Sequence, residues 1–242
     1  MRLNTQPVEK PSHTTDGTLE IVNIWHTLQG EGPFAGHPAV FIRLAGCNLQ
    51  CPGCDTDYTS RRESINPKHL MQMLSRFSQP TVGVTGMRTP NLVVITGGEP
   101  FRQNLMPFCQ MAISSGYDVQ VETNGTLWEQ PFFPPNRFHI VCSPKTPTIH
   151  KEIMKRANAF KYILAANAVD PTDGLPLSTL ENGLRPARPT EEFTGDVYVQ
   201  PMDDGAPWNA VTNIQNRAAA VHSCMTFGYK LSLQTHKLLG LE

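Results

Sequence analysis

Three cysteines fall within eight residues, spaced Cys47-x3-Cys51-x2-Cys54. Thiolates are soft ligands, suited to zinc, copper(I) or iron–sulfur clusters. A closed structural zinc site wants four protein ligands, usually as two paired motifs. No second pair is present, and His37 and His69 stand at non-standard spacing as candidate fourth ligands. An electron-carrying cluster also needs a fourth thiolate. A [4Fe–4S] cube held by only three cysteines leaves one iron open to bind a second molecule, which makes a reagent site rather than a wire. On spacing alone a catalytic cluster, a zinc site and unligated thiols all stay open. Cys109, Cys142 and Cys224 are scattered and read as small buried hydrophobes.

Apolar runs predict strands at about 20–26, 39–44, 91–96, 118–123, 138–143, 160–165, 196–201 and 230–236. Asn66-Pro67 reads as the N-cap and first residue of a helix to Phe77. A second helix is expected over 104–115. A third, over 207–227, ends at Gly228 and carries Trp208, Val211, Ile214, Ala218, Val221 and Met225 on one face. Strands alternating with helices predict an α/β fold with a mostly parallel sheet. In such sheets chemistry gathers beyond the carboxyl ends of the strands. The polar and glycine motifs do follow the apolar runs: Cys47 after AVFIRL, Gly97-Gly98-Glu99-Pro100 after LVVIT, Asn124 after VQVET, Ser143-Pro144-Lys145 after HIVC and Gln200-Pro201 after VYV. Residues 1–18 read as a flexible N-terminal extension, 19–242 as a single domain, and 170–195 as a Pro/Gly-rich loop or insertion within it.

The chain has 242 residues, 39% hydrophobic and 17% charged, which is too apolar for a disordered chain. Its net charge of -1 supplies no global positive field for a nucleic acid. There is no apolar leader region and no run approaching a membrane span. A cytoplasmic location with reduced thiols is expected, and no direct nucleic acid binding.

CxxxCxxC at a strand end with GGEP about 45 residues on resembles the radical S-adenosylmethionine (SAM) superfamily. The blocks TLQGEGPFAGHPAVFIRLAGCNLQCPGCDTDYT (27–59), VVITGGEP (93–100), VETNGT (121–126), SPK (143–145), QPMD (200–203) and LSLQTHKLLGLE (231–242) resemble, within it, the 7-carboxy-7-deazaguanine synthases. The six blocks hold 66 residues and follow one another in order along the chain. One departure is Gly53, where the family usually has an aromatic residue against the adenine of SAM.

The resemblance implies a partial, open (β/α) barrel. It implies a lyase that converts 6-carboxy-5,6,7,8-tetrahydropterin to 7-carboxy-7-deazaguanine with loss of ammonia, a step in 7-deazaguanine (queuosine-type) biosynthesis. It assigns Cys47, Cys51 and Cys54 to a [4Fe–4S] cluster whose open iron is chelated by SAM. Gly53, Cys54, Asp55, Gly97, Gly98, Glu99, Asn124, Ser143, Pro144, Lys145, Gln200, Pro201, Met202 and Asp203 would contact SAM. Leu28, Gln29 and Gly30, expected in a first strand–helix turn, would contact the pterin with Arg43, Thr96, His236 and the terminal Glu242, Arg43 on its carboxylate. Arg43, Thr56 and His236 would act at the reacting centre, Thr56 on a Mg²⁺ shared with substrate. A flavodoxin- or ferredoxin-type electron donor and a homodimer are also implied. For several of these residues ordinary roles stay open: turns for the glycines and Asn124, a turn cap for Thr56, an outward-snorkelling Arg43. The rivals are another small radical SAM enzyme, such as a glycyl-radical activase, and a non-catalytic zinc- or cluster-binding module.

Overall fold

The structure, a computed structural model, describes residues 4–77, 91–128, 134, 136–180 and 183–241. Among these, nine strands form one sheet. Its antiparallel end comprises β1 (Leu19–Leu28), β2 (Pro38–Leu44) and β3 (Glu63–Ile65). From β2 it continues in parallel through β4 (Leu92–Gly97), β5 (Asp118–Thr123), β6 (Phe138–Cys142), β7 (Ala159–Leu164), β8 (Asp196–Pro201) and β9 (Lys230–Leu231). The order β3-β1-β2-β4-β5-β6-β7-β8-β9 leaves an edge at each end. The fold is therefore the expected α/β class with a mostly parallel, unclosed sheet.

The helices are α1 (Pro67–Phe77), α2 (Met106–Ser114), α3 (Lys151–Arg156), α4 (Val211–Phe227) and α5 (Thr235–Leu238). Asn66 Oδ1 accepts the His69 N–H at 2.9 Å, so the expected N-cap forms. Gly228 ends α4 at φ 79°, the left-handed region that favours glycine.

Strand side chains alternate between faces, and the two faces here do different work. On β2, Val40, Ile42 and Leu44 enter the main core while Phe41 and Arg43 face a cavity. On β5, Val119 and Val121 are core while Glu122 faces the cavity, and on β7 Phe160, Tyr162 and Leu164 are core while Lys161 and Ile163 face it. Buried Phe108 and Ala112 of α2 and Leu70 and Leu74 of α1 join that core.

Four expectations need correction. The stripe on α4 does not pack inward: Val211, Ile214, Val221 and Met225 are exposed, as is Trp208 just before the helix. The buried residues of α4 are Asn213, Asn216, Ala220 and Ser223. The helix docks on the loops after β7 and β8 through amides, with Asn216 accepting from Ala166 N and donating to Met202 O at 2.9 Å each. The helix thus turns its amides, with Ala220, toward the body of the protein and leaves the stripe on its outer side.

The last strand also stops early. Ser232 N donates to Val199 O, and the next rung would need an N–H from residue 201, which is Pro201 and has none. The chain then turns into α5, so His236 lies on a short helix and not at a strand end. The turn carrying Leu28, Gln29 and Gly30 is a hairpin connection between antiparallel β1 and β2, not a strand–helix turn; Leu28 pairs with Pro38, at the opposite end of β2 from the cysteines. Finally, residues 4–18 are laid against the body of the protein, with bridges Val8–Cys47 and Ser12–Gln103.

The loop at 170–195 carries no helix or strand among its described residues. It is pinned by Tyr162 Oη donating to Ala187 O at 2.6 Å and by Arg185 and Arg188 on Asp173. β3 and α3 are not expected from the sequence pattern, being too short to show a period.

Phe108 is wholly buried on α2 and lies outside both the six blocks and the cavity lining. Phe108→Ala should lower unfolding free energy by about 3–5 kcal/mol, read as a reduced urea midpoint with unchanged slope.

Candidate active site

The inner face of the sheet lines a cavity of about 900 Å³. The two halves of its wall differ in chemistry.

One wall is sulfur. Cys47, Cys51 and Cys54 all line the cavity on the loop after β2. Burial pushes the Cys47 thiol up to about 12 and raises Cys51, with nearby Lys145 opposing the rise at Cys51. Ligation would therefore have to displace protons from these thiols. Among the described residues no three His, Cys, Asp or Glu side chains converge on a single ion position. A cube binds each thiolate on a different iron, so its ligands need not meet at one point. The donor set (three thiols on one cavity-facing loop with a lysine beside them) fits such a cluster. His37 and His69 are exposed and add no fourth ligand. Cys109 and Cys142 are fully buried in the core, as expected.

The glycine motif explains itself by backbone packing. A Cβ on Gly98 would lie 1.8 Å from Gly46 O, and one on Gly97, at φ 128°, would lie 2.2 Å from Leu44 O. Gly98 N donates to Leu44 O and Glu99 N to Gly46 O. The strand-end of β4 is thus stitched to the root of the cysteine loop. Glu99 does not line the cavity. It is fully buried and accepts from Thr123 Oγ1 at 2.7 Å, Asn124 N at 2.8 Å and Phe101 N at 3.0 Å. Burial pushes its carboxyl up to about 7 against those donors. Asn124 lines the cavity and is committed twice: its Oδ1 closes an Asx turn onto Thr126, and its Nδ2 donates to Asn48 Oδ1 of the cysteine loop.

The facing wall is charged. Arg43 lies over the Trp25 ring at 4.8 Å, and its buried Nε has no hydrogen-bond partner among the described residues. It points into the cavity, not outward. Lys161, Glu31 and Glu122 form the centre of this wall. The Lys161 ammonium binds Glu31 Oε2 and, at 3.2 Å, Glu122 Oε2. Gln29 and Gln120 donate to Glu122 Oε1 at 3.0 and 2.9 Å, and Gln234 donates to Glu31 Oε1 at 2.9 Å. Burial alone would raise the Glu31 carboxyl; Lys161 beside it, with Gln234, brings it below its ordinary value. Burial likewise disfavours the Lys161 charge, and the two carboxylates more than reverse that.

The mouth is lashed by the C-terminal segment. Lys237 bridges Asp55 at 2.8 Å and Asp203 at 2.9 Å, joining the cysteine loop to the end of β8. Thr56 Oγ1 lies 3.4 Å from Asp55 Oδ1. His236 lines the cavity, and burial lowers its pKa. A Cβ on Gly30 would sit 2.1 Å from His236 Nδ1, so this glycine makes room for the imidazole.

Of the remaining expected residues, Leu28, Gly53, Thr96, Ser143, Gln200, Pro201 and Met202 line the same cavity. Gly30 and Pro144 stand behind the lining, and Glu242 lies outside the described residues. Sequence reading missed Glu31, Glu122, Lys161 and Gln234. Glu31 stands inside the TLQGEG block and Lys161 is a lone charge in FKYIL. A charge at alternate positions of an otherwise apolar strand was the available signal.

No protein-family model matches the chain. Curated relatives do. The 7-carboxy-7-deazaguanine synthase of Rhodospirillum rubrum is 42% identical over 238 residues, covering 97% of both chains. The chain belongs to the 7-carboxy-7-deazaguanine synthase family. The Rickettsia prowazekii synthase is 37% identical over 94% of this chain and 91% of its own length. The crystal structure of QueE from Escherichia coli superposes with a TM-score of 0.63 at 25% identity, covering 89% of this chain and 93% of that one. Among the described residues no helix is long and apolar enough to cross a membrane.

Lys161 is the cation that Glu31 and Glu122 share. Lys161→Met should destabilise the fold by about 3–5 kcal/mol, because it leaves buried charge unpaired. Adding Glu31→Gln should recover part of that loss in denaturant titrations.

Proposed function

We propose that this chain converts 6-carboxy-5,6,7,8-tetrahydropterin to 7-carboxy-7-deazaguanine and ammonia. The observation that carries the reading is the cavity's division into a thiol wall and a facing wall with an inward Arg43 whose buried Nε lacks a partner. A buried guanidinium donor of that kind suits a carboxylate. Glu31, Glu122 and Gln29 offer acceptors and an amide to the N–H groups of a pterin's pyrimidine edge. Family membership supports the same substrate class.

Cys47, Cys51 and Cys54 would hold a [4Fe–4S] cluster, and SAM would lie along the ends of β4, β5, β6 and β8. Bound there, cluster and SAM supply one-electron, hydrogen-abstracting chemistry. Residues of the chain do the rest. Arg43 anchors the substrate carboxylate; Glu31 and Glu122 fix the opposite edge of the ring, held rigid by Lys161. His236 covers the substrate as a neutral imidazole, and the Lys237 bridges limit water at the mouth. Thr56, with its oxygen near Asp55, would contribute to a Mg²⁺ site completed by substrate and water.

A homodimer and a flavodoxin- or ferredoxin-type donor belong to the same proposal. Sedimentation at the mass of one 26.8 kDa chain would contradict the dimer.

The test is anaerobic reconstitution with iron and sulfide, then turnover with SAM, Mg²⁺, reductant and the carboxytetrahydropterin. Deazaguanine product is expected. 5′-Deoxyadenosine without product would favour an activase, and colourless protein with stoichiometric zinc would exclude the cluster. Arg43→Ala should raise the pterin KM by roughly ten- to hundredfold, the worth of a hydrogen bond to a charged group, with cluster content near normal. An unchanged KM would make Arg43 structural.

A further inference from the structure

We propose that residues 4–9 are a strap that holds the cysteine loop in the shape its cluster needs; this rests on the cluster reading above. The loop leaves β2 at Gly46 and returns at Tyr58, closed by Gly46 N donating to Tyr58 O at 3.0 Å. Between those points it has no helix or strand, so its peptide groups need partners from elsewhere. The inner side is held by Asn48 on Asn124 and Thr126.

The outer side is held from about fifty residues upstream. Glu9 N donates to Cys47 O at 2.7 Å, and Asn4 Nδ2 donates to Cys51 O at 3.1 Å. Gln6 grips the returning arm with both ends of its amide: Nε2 donates to Thr56 O at 2.9 Å, and Oε1 accepts from Tyr58 N at 2.8 Å. Gln50 Nε2 donates back to Gln6 O. The carbonyls taken up belong to two of the three cysteines and to Thr56, whose carbonyl also receives the Cys54 thiol at 3.8 Å.

The strap is anchored beyond the loop. Glu9 pairs with Arg62 and buried Arg102, Arg102 Nη1 donates to Lys10 O, and Ser12 N donates to Arg102 O. Gln6 is therefore a positioning residue. It fixes peptides rather than thiols, and does not line the cavity.

Gln6→Ala and Gln6→Glu (which keeps the acceptor and loses the donor) are compared with the wild type and with Thr18→Ala, whose side chain bonds Asp16 and not the loop. Asn4→Ser serves as a milder second variant. In the metal-free chain, hydrogen exchange over 47–59 should quicken roughly tenfold in both Gln6 variants, the scale set by losing one or two hydrogen bonds, with 196–201 and the unfolding midpoint little changed. In the reconstituted protein, iron release to a chelator should quicken by a similar factor. Thr18→Ala should match wild type in both. Unchanged exchange over 47–59, or faster exchange with unchanged iron release, would overturn the proposal. A wild-type chain that takes up no iron would overturn the cluster reading instead, a result the metal-free exchange measurement distinguishes.

Discussion

The ammonium of Lys161, shared by the carboxylates of Glu31 and Glu122, is the interaction on which the rest of the site depends. Two carboxylates and an ammonium meet on the strand-built side of the cavity. Each is costly to bury alone, and each is tolerable only because the others are in reach. The pairing also joins distant pieces of chain: Glu31 comes from the β1–β2 turn, Glu122 from β5 and Lys161 from β7. Gln234 then ties the C-terminal segment to the same carboxylate. Charge satisfaction thus does in the lumen what apolar packing does on the sheet's other face.

The thiol wall rests on a different principle. Its loop has no ladder of its own, so its shape is imposed by neighbours. Gly97 and Gly98 let the end of β4 press against its root, at distances no Cβ would permit. Asn124 and Asn48 hold its inner side, Lys237 holds Asp55, and the N-terminal segment holds its outer side. Four separate parts of the chain thus converge to shape a few peptides. A cluster site made of one contiguous triplet is local in sequence and wholly non-local in its support.

Much of this was legible in residue order. The strands at 118–123 and 196–201, the Asn66 cap and the Gly228 stop follow from local chemistry: period-two apolar runs, an oxygen placed for orphan N–H groups, a residue that tolerates positive φ. α4 shows where local reading fails. Its apolar stripe faces out while Asn213 and Asn216 on the opposite side bond backbone groups of the adjoining loops, a pairing invisible without those loops. The last strand fails for a similar reason: the missing donor is Pro201, on the neighbouring strand and not its own.

The sequence by itself determined the class of fold, the thiol triplet, the motifs at the strand ends and, through the six matching blocks, the family. These depend on residue types and on spacing along one chain. Tertiary structure alone decided which face Arg43 takes, that Glu99 supports the loop from outside the cavity lining, that Glu31, Glu122 and Lys161 form one charged unit, and that residues 4–9 lie over the cysteine loop. Those are relations between segments forty to two hundred residues apart in the chain. Burial and hydrogen-bond satisfaction select them only once the sheet has brought the segments together.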